Sequence, residues 1–153
     1  MNLRYKAAEF IGTVAYVGRL PIAPGTWGSL AALTAWYFLK PSLSDPLFLL
    51  INGAIFFIGI AASEILMEAW DDTDPKAVVV DEWVGMWIAL YLVPYDLLWG
   101  FVAFFLFRLF DILKPGPVKI FDNLHSSFGV MMDDVVAGIL ALLVTQSLLF
   151  NFV

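Results

Sequence analysis

Cysteine is absent from the 153 residues, which excludes disulfides, thiolate metal ligands and a cysteine nucleophile. Histidine occurs once, as His125, so one chain cannot build a multi-histidine metal centre. Charge is scarce as well. Only 14% of residues are charged, where a soluble domain carries about 25%. Bases are the scarcer sign, eight against fourteen acids, and the net charge of −6 argues against nucleic acid as a partner. No linker-like stretch, charge block or convincing repeat divides the chain, so residues 1–153 read as one membrane-embedded domain. The N-terminal stretch has two early bases but lacks the apolar core and small-residue cleavage site of a signal peptide.

What is present is apolar: 61% of the residues, with a mean hydropathy of +0.86. Residues 3–17 repeat apolar side chains at a helical period, with Arg4, Lys6 and Glu9 elsewhere on the wheel, and read as an interfacial helix. Residues 18–29 carry three glycines and two prolines and read as a loop. Five apolar segments follow, at 27–38, 46–67, 78–93, 97–113 and 135 to the C-terminus. The expected fold is an all-α polytopic membrane bundle of about five transmembrane helices. Its first segment, about 12 residues or roughly 18 Å, is short against a hydrocarbon core of about 30 Å.

Counting crossings assigns sides. If all five segments cross, Arg4, Lys6, Arg19, Lys76, Arg108, Lys114 and Lys119 share the N-terminal side, and only Lys40 lies opposite. Seven bases against one places the N-terminal side in the cytoplasm by the positive-inside rule. The same parity gathers the informative acids on that side. Asp81-Glu82 heads the third segment, Arg108, Asp111 and Lys114 close the fourth, and Asp133-Asp134 heads the fifth.

Intramembrane carboxylates are expensive and therefore informative. Asp81 is followed four residues later by Gly85, and Asp134 by Gly138, so on each helix acid and glycine share a face. The glycines would let two helices approach just below their acids and bring the carboxylates together. Clustered carboxylates without histidine or cysteine suit a hard cation such as Mg²⁺. Arg108, Lys114 and either Arg19 or Lys76 would add a phosphate to that metal. The plainer alternative is that acids at helix N-termini offset the macrodipole and that interfacial bases anchor helices.

The segment LPIAPGTWGS lacks the Gly-Lys-Ser/Thr ending of a Walker loop. The backbone at Gly25, the hydroxyls of Thr26 and Ser29, and Arg19 could still contact a phosphate there, although a simple turn into the membrane fits the composition equally. Glu64, Glu68 and Asp72 recur every four residues and read first as a solvated helix end, with Glu64 the better site candidate. His125, Lys119, Asp122 and Asn123 lie in a loop over 115–132 with no distinguishing spacing.

The strings LPIAPGTWGS (20–29), DPKAVVVDEWVGM (74–86), FRLFDILKPGP (107–117) and MMDDVVAG (131–138) together resemble the phosphatidylglycerophosphatase A family, in order and over nearly the whole chain. The resemblance implies a Mg²⁺-dependent lipid phosphatase of the bacterial inner membrane. It would hydrolyse the terminal phosphate of phosphatidylglycerophosphate to give phosphatidylglycerol. Carried over by position, the motif residues are Pro24, Gly25, Thr26 and Gly28, then Asp81, Glu82 and Gly85, then Arg108, Asp111 and Lys114, then Asp133, Asp134 and Gly138. Gly116 departs from the pattern, standing where relatives often have an aromatic residue.

The inventory removes rival phosphatase chemistries. There is no thiolate, no second histidine for a phosphohistidine enzyme, and no Asp-x-Asp spacing in either acidic pair. Metal-assisted attack by water or an unorthodox aspartate nucleophile remains. The expected assignment gives Asp81, Glu82, Asp133 and Asp134 to Mg²⁺, and Arg108 and Lys114 to the phosphate. Asp111 is either a further ligand or the base. A small cation-binding or transport protein is the rival reading, but a conduction path needs polar groups through to the far side, which offers only Lys40, Asp45 and Asp96.

Overall fold

A computed structural model describes residues 2–152. Among these the chain is all-helical, with no strand: α1 (Leu3–Gly12), α2 (Pro24–Leu39), α3 (Asp45–Trp70), α4 (Val80–Ala89), α5 (Leu97–Leu113), α6 (Gly116–Asp122) and α7 (Ser127–Phe152).

The interfacial helix is shorter than its apolar period implied. The Asn2 side chain accepts from the Arg4 amide at the start of α1. Gly12 ends it against α3, where an added Cβ would stand 2.6 Å from Leu66 Cδ1. The Gly12 carbonyl accepts the Val79 N–H at 2.8 Å, and Val14, Ala15 and Tyr16 turn the chain through left-handed conformations. The glycine-proline loop is likewise half helix. Pro24 occupies a first-turn position where its missing N–H costs nothing. The Ala23 carbonyl then accepts from Thr26 and Trp27 at 3.0 and 3.3 Å.

Helices α3 and α7, 26 residues each and about 39 Å long, have the length and hydropathy to cross a membrane. They turn large apolar side chains outward, among them Leu50, Phe57, Leu143 and Phe150. The expectation of five crossings is met only for these two by length. α2, α5 and especially α4, with 16, 17 and 10 residues, fall short of about 30 Å.

The short α4 is the axis of the bundle. Seven of its ten residues are buried, packed by α2, α3, α5 and α7. The Trp87 indole donates to the Ala32 carbonyl at 2.9 Å and stacks on Phe48 at 4.6 Å, while the Asn52 amide donates to the Val84 carbonyl at 3.1 Å. These two buried hydrogen bonds fix the rotation of α4 against α2 and α3. Against α7 there is no room for a side chain. A Cβ on Gly85 would stand 2.5 Å from the Asp134 carbonyl oxygen, and one on Gly138 2.3 Å from the Gly85 carbonyl oxygen.

Where the sequence reads a loop over 115–132, the chain folds α6 and the first turns of α7. Pro115 and Pro117 are the reason. Both read as breakers, yet one precedes α6 and the other sits in its first turn, where proline is tolerated.

Candidate active site

The four motifs converge at one end of the bundle around a cavity of about 300 Å³. The head of α2 supplies Gly25, the α3–α4 connection supplies Asp74 and Lys76, and α4 supplies Asp81 and Glu82. Arg108, Asp111 and Lys114 come from the end of α5, and Asp133 and Asp134 from α7. Six carboxylates thus face three cations, so an anionic phosphate would enter a field of the wrong sign unless a cation came with it.

Asp81, Glu82 and Asp134 each offer an oxygen within 4.8 Å of the others. Glu82 Oε2 is buried with no hydrogen-bond partner, and the cation facing Glu82 is Arg108, at 4.0 Å. An all-oxygen set with an unpartnered carboxylate oxygen fits a hard divalent metal ion.

Asp133 stands apart from that trio. Its Oδ2 accepts from Lys114 Nζ at 2.5 Å and its Oδ1 from the Asp134 N–H at 2.9 Å. Arg108 pairs with Asp111 one turn along α5, and its Nε is buried without a partner. Both acids of α7 lie beyond its first turn, outside the reach of the helix dipole, so the macrodipole explanation fails for them. Asp81 and Glu82 do stand in the first turn of α4.

Gly25 lines the cavity and is sterically required, since a Cβ there would stand 2.2 Å from Glu82 Oε1 and 3.2 Å from Arg108 Nη1. The other three residues expected to bind substrate lie outside the lining. Thr26 is in the first turn of α2, and Ser29 is buried, its hydroxyl donating to the Gly25 carbonyl at 2.8 Å. Arg19 pairs with the largely buried Glu9 and lies over the Trp70 ring at 5.2 Å, clamping the 13–19 turn to α1 and α3. Glu64, Glu68 and Asp72 are exposed, as a solvated helix end should be.

Two contributors, Asp74 and Asp122, were not singled out from the sequence, whereas Lys76 was the alternative to Arg19 as a phosphate-binding base and does line the cavity. Asp74 lines it too, and its signal was membership of the 74–86 string. Asp122, on α6, bonds Lys114 at 2.9 Å, and nothing in its spacing marked it. With His125, Asp74 and Asp133 it lines an adjoining cavity of about 290 Å³. Burial works against charge on Lys114, but the hydrogen bonds it donates to Asp133 and Asp122 outweigh this and raise its ammonium well above the usual lysine range. Burial pushes the Asp74 carboxyl up, Lys114 opposes this, and the nearby Asp122 and Asp72 charges add to it.

Below the cavity the interior is Met86, Trp87, Leu90 and Phe107, all fully buried. A polar cavity at one end of an apolar helical bundle, with a carboxylate trio that could hold a cation and bases that could pair with phosphate, has the features of an enzyme for phosphate esters. The family model for phosphatidylglycerophosphatase A matches residues 10–149, and the chain belongs to that family. Phosphatidylglycerophosphatase A of Haemophilus influenzae is 40% identical over 130 residues, 83% of this chain and 79% of the relative. That of Escherichia coli is 39% identical over 126 residues, 81% and 73%. A Bacteroides thetaiotaomicron protein provisionally named a phosphatidylinositol-3-phosphatase is 44% identical over 139 residues, 84% and 85%. No solved structure matches the chain.

Proposed function

We propose that this phosphatase removes the terminal phosphate of phosphatidylglycerophosphate with Mg²⁺ held by Asp81, Glu82 and Asp134, at the cytoplasmic face of a bacterial inner membrane. The observation that carries the reading is the carboxylate trio with its buried, unpartnered Glu82 oxygen beside Arg108. Mg²⁺ bound there supplies Lewis-acid stabilisation of the phosphoryl group and a water of lowered pKa. Lys114 and Arg108 bind the phosphate oxygens and offset charge as it develops. When Arg108 turns to the phosphate it releases Asp111, which accepts the proton from attacking water. Asp133 keeps Lys114 charged and in place. The acyl chains stay among the helices, and α2, α5 and α4 with the 90–96 segment complete a multi-pass bundle as short or tilted spans.

The test is phosphate release by purified protein in detergent, with and without Mg²⁺, from phosphatidylglycerophosphate and, in parallel, phosphatidylinositol 3-phosphate. Mg²⁺-dependent release from the first lipid is expected. Activity that persists in excess chelator would remove the metal, and preference for the inositol lipid would replace the substrate. A tag at residue 43 should be reached from the periplasm, and labelling there from the cytoplasm would reverse the orientation.

A further inference from the structure

The geometry points to Asp122 as a positioning residue that aims Lys114. The inference rests on the proposed reading, in which Lys114 holds the phosphate. Asp122 ends α6, and α6 is seated firmly on α7. Val118 is fully buried, and at Gly129 an added Cβ would stand 2.8 Å from both the Phe121 carbonyl oxygen and Leu124 Cβ. Lys114 is fixed at its backbone too. It caps α5 in a left-handed conformation, with its N–H donating to the Phe110 carbonyl at 2.9 Å. Its side chain is then held from two directions, by Asp133 at 2.5 Å and Asp122 at 2.9 Å.

An ammonium has three donors, and two are committed here. Lysine is ordinarily a point charge on a flexible stem, without the built-in direction of a guanidinium. Two carboxylates at fixed positions supply that direction. Asp122 lines only the adjoining cavity, whereas Lys114 lines the cavity that holds the carboxylate trio. Asp122 therefore draws from the far side, and the remaining N–H is left on the substrate side. Without Asp122 the ammonium pivots about its single bond to Asp133 and shares its donors with water.

The experiment is a double-mutant cycle on the full chain in detergent, read as phosphate release from phosphatidylglycerophosphate at saturating Mg²⁺. Asp122→Asn should lower kcat/KM about tenfold and Asp122→Glu should recover most of it, with the Mg²⁺ half-saturation unchanged. In a Lys114→Gln background, Asp122→Asn should cost less than about twofold, because the residue it acts through is gone. An equal loss in both backgrounds, or a shifted Mg²⁺ half-saturation, overturns the inference. Asp122→Ser repeats the cycle with a smaller side chain and must give the same coupling. Full activity of Lys114→Gln alone would instead remove Lys114 from phosphate binding, a failure of the functional reading itself.

Discussion

Asp81-Glu82 on α4 and Asp133-Asp134 on α7 are two acidic pairs of the same chemistry, yet they do different things. The first pair enters the carboxylate trio whole, whereas the second divides, Asp134 joining it and Asp133 turning to Lys114 at the rim. The cause is register against the helix contact. Asp81 and Asp134 each precede by four residues the glycine at which α4 and α7 touch, so these two are the equivalent positions. Glu82 then follows its equivalent acid, while Asp133 precedes its own, and the two odd members point to different neighbours. One finds Arg108 and the head of α2, the other the end of α5. Distance along the helix from the close contact, and not membership of an acidic pair, sets the role.

Asp81→Asn and Asp134→Asn should each cut kcat by about 10²–10³ or more and weaken Mg²⁺ dependence in step, measured as phosphate release across a Mg²⁺ titration. Asp133→Asn should cost less, about 10–100-fold, with the Mg²⁺ midpoint little changed, as for a group outside the metal's own ligands. Equal Mg²⁺ midpoints for Asp133→Asn and Asp134→Asn would mean that the two acids share one role. At the contact itself, Gly85→Ala or Gly138→Ala should destabilise the bundle by about 1–3 kcal/mol through overpacking against backbone, read from thermal unfolding in detergent.

The smallest effect is expected at Asp74. Its carboxyl is raised in the folded state, so folding binds the proton more tightly than the unfolded chain does. Stability from this group is then greatest at low pH and declines as pH rises from about 3.9, the unfolded value, through the folded one. Asp74→Asn should raise the unfolding temperature at pH 7, and the gain should vanish below about pH 4.

Much of this arrangement was legible in the sequence because it is local and periodic. The Asp-to-Gly spacing of four on two apolar segments announced the α4–α7 contact, and parity brought the motifs to one end. What stayed hidden depended on tertiary geometry. No spacing shows that Glu9 takes Arg19 away from the site, or that Lys114 takes Asp133 out of the trio. Helix α6 was masked by two prolines whose positions suit a helix start, and Asp122 was hidden with it. The length of α4 was overestimated because burial by four neighbours extends an apolar run beyond its ten helical residues.

The contact between Gly85 and Gly138 fixes a length as well as a packing. Where two carboxylate-bearing helices meet backbone to backbone, the spacing of the backbones that carry Asp81 and Asp134 is set by the thickness of peptide groups, which no rotamer can adjust. Side-chain rotation then moves the carboxylates only about a fixed frame. A methyl group at the contact would prise that frame open and carry both acids apart together. The spacing of the acids, on this view, resides in two residues that have no side chain of their own.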